Sequence, residues 1–207
     1  MLFRSIEMMT QAEFNATLRV AYEEVNNSRI NYGSLEPLIN SLRRQFLSFR
    51  PMSQTDTVPP HQYLRLVFNG YRTDAQTRTT TSSENLQRSI KTGEKKGPDG
   101  KPQDIMENIT GKITYYHKTK NAASGATITI TDAKTGGILQ NQTVGGNATW
   151  QFDWATFTGD ARVLNSNQQT LIKRVEAYPI DQDLFQQAMK NLESSLGNQL
   201  QSFYRQY

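Results

Sequence analysis

Two acidic residues lie beside two tryptophans in the stretch TWQFDWATFTGDARVL, residues 149–164. Asp153 stands directly before Trp154, and Asp160 follows shortly after. Glycoside hydrolases use a pair of carboxyl groups, one as the general acid and the other as the base or nucleophile. The pair of Asp153 and Asp160, near Trp150 and Trp154, therefore supports one functional hypothesis, a hydrolase that acts on glycans.

The strand pattern of the same stretch argues against that hypothesis. Side chains alternate between the two faces of a strand, so the two tryptophans and the phenylalanine between them share one face. Asp153 falls on the opposite face, and Asp160 follows a glycine, where it can cap the next element. We therefore expect the aromatic rings to be buried against the sheet or the helices, at the end of a core strand.

Other catalytic and metal-binding chemistries find little support in the sequence. It contains no cysteine, which excludes thiolate nucleophiles, cysteine zinc sites and disulfides. Its two histidines, His61 and His117, lie in unrelated segments without the spacing of metal ligands. It has neither a GxSxG motif nor a glycine-rich phosphate loop. We therefore predict no catalytic residues, no metal site and no cofactor.

A modest excess of positive charge raises the question of nucleic-acid binding. The formal net charge is +4, and acidic residues interrupt the basic ones between Arg72 and Lys120. Such a diluted field is more typical of a solvated polar segment than of a nucleic-acid interface. Weak nucleic-acid binding through Arg72–Lys120 is therefore kept as a second alternative function.

Protein interaction is the remaining hypothesis, and it directs attention to aromatic and basic residues near strand and helix ends. Adjacent tyrosines in a strand point to opposite faces, so one of Tyr115 and Tyr116 at most contributes to a given surface. The C-terminal helix also ends in aromatic residues. The interaction surface that we predict comprises Tyr115, Tyr116, Lys118, Lys120, Phe203 and Tyr207.

The N-terminal part of the chain, residues 1–50, has the apolar spacing of helices. Apolar side chains recur three and four residues apart in two runs, which end at Val25 and Phe49. We predict a helical hairpin from these runs. Residues 1–6 are set aside, because LFRS matches the translation of a common sequencing adapter. Three prolines make residues 51–62 an extended linker.

A sheet domain, residues 63–207, is predicted after the linker, because the apolar period changes from helical to alternating. Leu64, Leu66 and Phe68 share one face of its first strand. A long exposed hairpin follows, with its tip at the Pro-Asp-Gly turn of residues 97–101. Residues 72–104 therefore include either a strand with outward threonines or a disordered segment. Further strands are predicted at residues 109–120, 125–132, 136–144 and 149–158, with turns at 132–137 and 145–147.

The clearest helix in the sequence begins near Asp181 and continues to the C-terminus. Its apolar residues form one stripe, at Phe185, Met189, Leu192, Leu196, Leu200, Phe203 and Tyr207. We expect this stripe to cover the sheet of its own chain, because a sheet with one apolar face needs a cover. The alternative is that the stripe associates with a partner or with a second copy of the chain.

Three motifs occur together in the C-terminal half, from about Asn108 onwards. They are a D-x-x-T-G hairpin, an aromatic strand that ends W-A-x-x-x-G-D-x-R, and a closing helix with D-L-F and F-Y. With these motifs the chain resembles uncharacterised extracytoplasmic, lipoprotein-like proteins of Bacteroidetes-type bacteria. Val163 stands where the pattern usually has alanine. The resemblance implies a location in the cell envelope and brings no activity with it. The matching residues are Asp132, Thr135, Gly136, Trp154, Ala155, Gly159, Asp160, Arg162, Asp183, Leu184, Phe185, Phe203 and Tyr204.

Together, these patterns predict an α+β fold with an N-terminal helical hairpin, a mainly antiparallel sheet with a long exposed hairpin, and a C-terminal amphipathic helix packed on the sheet. No stretch is apolar for the ~20 residues of a membrane-spanning helix. We expect a non-enzymatic structural or protein-interaction module of the periplasm or outer membrane, with a cytoplasmic location as the alternative. Its partner is expected to be a protein or another envelope component.

Overall fold

The computed structural model describes residues 18–26, 36–46, 49–52, 55 and 57–206, which form an α+β structure. In chain order the elements are β1 (Arg19–Asn26), α1 (Glu36–Gln45), β2 (Arg50–Pro51), β3 (Gln62–Thr73), β4 (Arg78–Lys96), β5 (Pro102–Asp132), β6 (Ile138–Gly159), a 3₁₀ turn (Ala161–Val163), α2 (Ser166–Ile172) and α3 (Asp181–Tyr204). Among the described residues, no helix is both long and apolar enough to cross a membrane.

The chain divides into two compact units, and β5 and β6 contribute residues to both. The first unit is drawn from Met1–Thr73, Asn121–Ala148 and Ile180–Tyr207. The second unit comprises Asp74–Lys120 and Thr149–Pro179.

The sheet of the first unit combines parallel and antiparallel strands. β1 pairs in parallel with both β2 and β3, whereas β3 pairs antiparallel with the C-terminal part of β5. The predicted shared face of Leu64, Leu66 and Phe68 is confirmed, because each of these side chains is at most 2% exposed. The aliphatic residues opposite them on β5 are also buried, so this face carries the core of the unit.

Helix α3 packs on that face, which confirms the predicted C-terminal helix on the sheet. Its apolar stripe joins residues of α1 and of strands β1, β3 and β5 in one core. The ring of Tyr204 is buried there and meets Phe49 edge to face, with centroids 4.9 Å apart. The core comprises Leu18, Val20, Ile39, Leu42, Phe49, Leu64, Leu66, Phe68, Ala126, Ile128, Ile130, Met189, Leu192, Leu196, Leu200, Phe203 and Tyr204.

The predicted N-terminal helical hairpin is wrong in its first helix, because Arg19–Asn26 form the strand β1. Leu18 and Val20 are fully buried, whereas Tyr22 is 37% exposed. A parallel ladder with β3 holds β1 from Val20 to its end, and this long-range pairing outweighs the local helical spacing. The earlier residues of that predicted helix lie outside the described residues. Within the second apolar run the structure has the helix α1.

Two strands are longer than predicted. β5 continues through Asn121–Ser124, where a break between two strands was predicted, and β6 continues through Gly145 and Gly146, where a turn was predicted. A side-chain carbon built on Gly146 would collide with the backbone of Ala188 and Leu192 in α3. The glycine at this position therefore permits close contact between strand and helix, and the chain does not turn there.

The two predicted hairpin turns are confirmed. Gly100 at the tip between β4 and β5 has φ 76°, and Gly136 between β5 and β6 has φ 70°, values that favour glycine. Asp132 Oδ1 accepts hydrogen bonds from the amide of Lys134 and from the amide and hydroxyl of Thr135. The hydrogen bonds from Thr135 contribute most, and together with the bond from Lys134 they hold the pKa of Asp132 below its ordinary value. The carboxylate thus organises the turn.

The second unit is built on a sheet in which β5 pairs with both β4 and β6. The antiparallel pairing of β4 with β5 extends from Arg78 opposite Thr119 to Lys96 opposite Pro102. The segment before the hairpin tip is therefore an ordered strand. The 3₁₀ turn and α2 contribute to a core on one face of this sheet. The buried members of that core are Ile109, Ile113, Ala155, Val163 and Leu164.

Candidate functional site

The stretch with the two tryptophans forms the C-terminal part of β6, and its two faces have different surroundings. Ala155 is 3% exposed and belongs to the core of the second unit, with the half-buried Phe157 beside it. Trp150, Phe152 and Trp154 alternate with these residues and are half-buried on the other face. The predicted alternation is confirmed. The predicted burial of the rings in a core is wrong, because α2 and the 3₁₀ turn cover the opposite face.

Four rings form a row that we call the aromatic face: Tyr116 of β5 with Trp150, Phe152 and Trp154 of β6. Tyr116 and Trp154 stack with centroids 4.9 Å apart and planes 8° from parallel. Trp150 and Phe152 are also stacked, at 6.0 Å and 9°. Phe152 and Trp154 are 6.1 Å apart and tilted by 33°. Each such pair contributes about 0.5–1.5 kcal/mol beyond area burial, so the rings hold one another in position.

A buried cation adjoins this row. Lys118 is 3% exposed, and its ammonium lies 5.7 Å from the ring centroid of Trp154 and 3.5 Å from that of Tyr178. It also forms an ion pair with Glu176. Burial lowers the pKa of Lys118, but the hydrogen bonds to Glu176 and Tyr178 outweigh burial and leave that pKa above its ordinary value. Because both contacts come from residues 176–178, Lys118 fastens this segment to the aromatic face.

Arg174 lies at the edge of the sheet in the second unit. Its guanidinium carbon is 6.0 Å from the ring centroid of Phe152, and its Nη1 donates to the carbonyl of Asp153 at 3.2 Å. Among the described strands, β6 pairs with β5 alone. Arg174 therefore satisfies a backbone carbonyl on β6 and adds positive charge beside the aromatic face, both of which limit pairing with a further strand.

A histidine–carboxylate pair occupies the opposite face of the same strands. His117 Nδ1 and Asp153 Oδ1 are 2.6 Å apart, and both side chains are about half exposed. Such a pair can orient an imidazole as a general base, but it then needs a nucleophile. The nearby hydroxyl of Thr80 donates to the backbone carbonyl of His117 at 3.4 Å. Among the described residues, no serine or threonine hydroxyl is hydrogen-bonded to the imidazole.

The second acidic residue of the proposed catalytic pair is elsewhere and is occupied. Asp160 caps the 3₁₀ turn by accepting from the amide of Arg162 at 3.0 Å, and it forms an ion pair with the Arg162 guanidinium. The hydrogen bonds from the Arg162 side chain, followed by the one from its amide, lower the pKa of Asp160 to about 2. The strand between Asp153 and Gly159 spans roughly 20 Å at ~3.3 Å per residue. Paired carboxyl groups of glycoside hydrolases are about 5–9.5 Å apart, so this geometry is inconsistent with such a pair.

The residues of the predicted interaction surface have varied environments. Tyr115 and Tyr116 lie on opposite faces, as expected, and the Tyr115 hydroxyl contacts Glu84 and Gln168. Lys118 and Lys120 are buried in the second unit. Phe203 belongs to the core of the first unit, and Tyr207 lies outside the described residues. Of this set, Tyr116 and Lys118 meet at Trp154, while the surface as a whole stays a prediction.

Several basic residues of the Arg72–Lys120 region are engaged within the chain. Lys91 forms ion pairs with Glu94 and Asp104. Arg88 donates to a backbone carbonyl of the 3₁₀ turn. The ion pairs of Lys91 compensate a cation that a nucleic acid would need, whereas the hydrogen bond of Arg88 leaves its charge in place. No cluster of three histidine or acidic side chains lies within metal-binding reach in the described ranges.

Comparisons with known proteins assign no family. No family model matches the chain, and no curated protein matches it. Among solved structures, the chain is similar to a crystal structure of a minor lipoprotein from Acinetobacter baumannii, with 10% sequence identity and a TM-score of 0.35. That similarity covers 89% of this chain and 93% of the lipoprotein chain.

Proposed function

We propose that this chain is a non-enzymatic interaction module, and that the aromatic face of its second unit binds a segment of a partner protein. The observation that carries the proposal is the position of the four rings. They lie on the face of the sheet opposite the core of that unit, and none of them is fully buried. Contiguous apolar surface of this kind marks interaction sites, and tryptophan and tyrosine are enriched among the residues that dominate binding energy.

The stacking of the rings favours a protein over a sugar or a nucleobase. Sugars and bases bind aromatic residues by lying flat on a free ring plane. Here one plane of Trp154 is covered by Tyr116, and Trp150 and Phe152 are stacked on each other. One plane of each ring is therefore occupied by a neighbouring ring, which leaves less free ring plane for a sugar or a base. Ring edges pack well against aliphatic and aromatic side chains, which a peptide segment supplies.

The charge beside the rings suggests the character of that segment. The charge of Lys118 is compensated by Glu176 within the unit. The Arg174 guanidinium has no described carboxylate partner, and it lies over Phe152. A segment that combines apolar side chains with a carboxylate would fill the aromatic face and meet this cation.

The proposal also includes a location in the cell envelope, in the periplasm or at the outer membrane. Its support is the resemblance of the D-x-x-T-G hairpin, the aromatic strand and the closing helix to extracytoplasmic, lipoprotein-like proteins. In this setting the partner would be another envelope protein. A second copy of this chain remains an alternative occupant, and sedimentation of the purified protein distinguishes it from a partner of different sequence.

The proposal can be tested with a phage-displayed library of random peptides selected on the immobilised protein. Selected sequences are then made as fluorescent peptides, and their affinities are compared for the wild type, Trp150→Ser and Phe152→Ser. We expect apolar peptides with acidic residues, whose affinity falls at least tenfold in both variants, about 1.4 kcal/mol. The matched control is Gln151→Ser, which lies between the two rings on the other face and should leave the affinity unchanged.

Two outcomes would contradict the proposal. Peptides that bind Phe152→Ser as well as the wild type would place the interaction site elsewhere. A glycan array that gives ring-dependent binding, in the absence of any selected peptide, would replace the protein partner with a carbohydrate.

A further inference from the structure

β4 is an outer strand of the sheet in the second unit, and one of its edges is free for a further strand. It pairs antiparallel with β5, and among the described strands it has no second neighbour. Such an edge presents a row of backbone N–H and C=O groups that can pair with another chain. Every residue from Arg78 to Asn85 is exposed, so this part of the strand is open to solvent.

Other edges of the same sheet are protected against pairing. On β6, Arg174 donates to the backbone carbonyl of Asp153 and places a cation there. Towards the hairpin tip, the register of β4 with β5 shifts between Lys91 and Gly93, and two further lysines follow before the strand ends. Irregular pairing and lysine side chains are means by which proteins keep an edge strand from accepting a neighbour.

The half of β4 that begins at Arg78 has neither of these protections. Its register with β5 is unbroken from Arg78 to Lys91, and no proline or other lysine occurs in that stretch. From Thr79 to Ser83 every residue carries a hydroxyl group. Threonine is β-branched and favours the extended conformation. The segment is therefore a regular strand whose free edge can accept another strand.

The order of its side chains makes this segment complementary to itself. When two copies run antiparallel with Thr81 opposite Thr81, Arg78 of each copy stands opposite Glu84 of the other. An even number of residues separates Arg78 from Glu84, so both side chains lie on one face of the strand and can meet across the pair. The positions between them hold threonine and serine. Opposite charges and paired hydroxyl groups both stabilise neighbouring antiparallel strands.

Both charges are available for this pairing. The guanidinium of Arg78 forms no ion pair with a carboxylate in the described part of the chain. Glu84 Oε2 accepts a hydrogen bond from the Tyr115 hydroxyl at 3.2 Å, on the face of the sheet that carries the core of the second unit. This bond holds the carboxylate beside the strand and leaves its negative charge uncompensated.

We propose that two copies of this chain associate through the segment Arg78–Glu84, which pairs antiparallel with the same segment of the second copy. A two-fold axis at Thr81 relates the copies, as in most homodimers. The self-complementary order of charges selects a second copy over a strand of different sequence. The three strands of each copy then join in one continuous sheet, and sheets of about 4–6 strands are common. This interface is separate from the aromatic face, and its argument does not depend on the function proposed above.

Sedimentation equilibrium of the purified full chain tests this interface, between about 1 μM and about 1 mM protein. Low ionic strength is used, because salt screens exposed charges. Arg78→Glu and Glu84→Arg each place like charges opposite each other in the pair. An equal mixture of the two variants restores both opposite-charge pairs, because each copy supplies the charge that the other lacks. The matched control is Arg72→Glu, which makes the same change of charge at an exposed residue of β3 in the first unit.

We expect the wild type and Arg72→Glu to form dimers of equal affinity, and each edge variant alone to dimerise at least tenfold more weakly. The mixture should dimerise as tightly as the wild type. Thr81→Lys keeps the test valid if Glu84→Arg, which loses the Tyr115 contact, fails to fold. It places two lysines opposite each other at the two-fold axis and should also weaken the dimer at least tenfold. Circular dichroism confirms that each variant is folded.

Three results would overturn the proposal. The first is a wild type that stays monomeric over the whole concentration range, which would leave the edge to a strand of different sequence. The second is a mixture that dimerises no more tightly than either edge variant alone, which would exclude this pairing. The third is a dimer that is lost in Phe152→Ser and kept in Thr81→Lys. That result would place the second copy on the aromatic face, so the failure of this interface is distinguishable from the failure of the function proposed above.

Discussion

Replacing Gly146 by alanine should destabilise the first unit, because the added methyl group has no room. Gly146 lies in β6 against α3, and a carbon built on it would be 2.7 Å from Cα of Leu192 and closer still to the carbonyl of Ala188. Carbon atoms pack at about 3.5–4.0 Å, so α3 would have to retreat by about 1 Å. Helix backbone cannot rotate away as a side chain can. We therefore expect a loss of about 3 kcal/mol in the free energy of unfolding, the upper end of the usual range for overpacking.

The assays are guanidinium unfolding and thermal unfolding, both followed by circular dichroism at the helical wavelength, which is dominated by the long helix α3 of the first unit. A loss of about 3 kcal/mol corresponds to a fall of about 6–12 °C in melting temperature for a chain of this size. The matched control is Gly145→Ala. A carbon built on Gly145 is 3.6 Å from the nearest atom, the carbonyl oxygen of Ser124, so this variant should be as stable as the wild type or up to ~1 kcal/mol more stable. Equal stability of the two variants would refute the close packing of β6 on α3.

Three further predictions concern the second unit. The pKa of Asp160 is about 2, so its contribution to stability is complete above the unfolded pKa of about 3.9 and is lost as the pH falls through about 2. Asp160→Asn should therefore flatten the fall of the unfolding midpoint between about pH 4 and about pH 2. An unchanged slope would contradict the lowered pKa of Asp160. Glu176→Gln should lower stability at neutral pH, because it leaves Lys118 buried without its carboxylate. The pKa of Glu176 is lowered by the hydrogen bond from Lys118, so the wild type should lose stability as the pH falls below the unfolded pKa of about 4.3. Glu176→Gln should not show this loss. Urea midpoints measured as a function of pH test the lower stability at neutral pH and the missing loss at low pH. Ile113→Ala, in the core, should lower the free energy of unfolding by about 3 kcal/mol. Trp154→Ala, on the half-buried aromatic face, should lower it by about 1–2 kcal/mol. A larger loss for Trp154→Ala than for Ile113→Ala in urea unfolding would mean that this face belongs to the core.

Local apolar patterns correctly predicted the elements whose buried residues repeat with the period of a strand or of a helix. The alternation of Leu64, Leu66 and Phe68 predicted β3, and the apolar stripe predicted α3. The turns at Gly100 and Gly136 were predicted because positive φ angles have a strong local cause in glycine. Near Val20 the pattern failed, since the same apolar spacing fits a helix and a strand. The partner strand β3 decided between them, and it lies about forty residues away in the sequence.

The candidate site was also predicted only in part, because local patterns describe single elements and not the contacts between distant residues. Alternation correctly separated Trp150, Phe152 and Trp154 from Asp153, because that separation is a property of one strand. The buried ion pair of Lys118 with Glu176 depends on the path of a segment without regular structure, which no local pattern describes.

By itself, the sequence determined the alternation of the aromatic strand, the hairpin turns, the C-terminal helix and the absence of cysteine chemistry, because each of these is encoded within a few neighbouring residues. Tertiary structure decided which face of β6 carries the core, which glycines serve packing instead of turning, and which charged side chains meet. Those outcomes depend on contacts between residues far apart in the chain. A strand pattern fixes that two faces differ, but only the elements packed against the sheet determine which face is buried and which is left partly exposed.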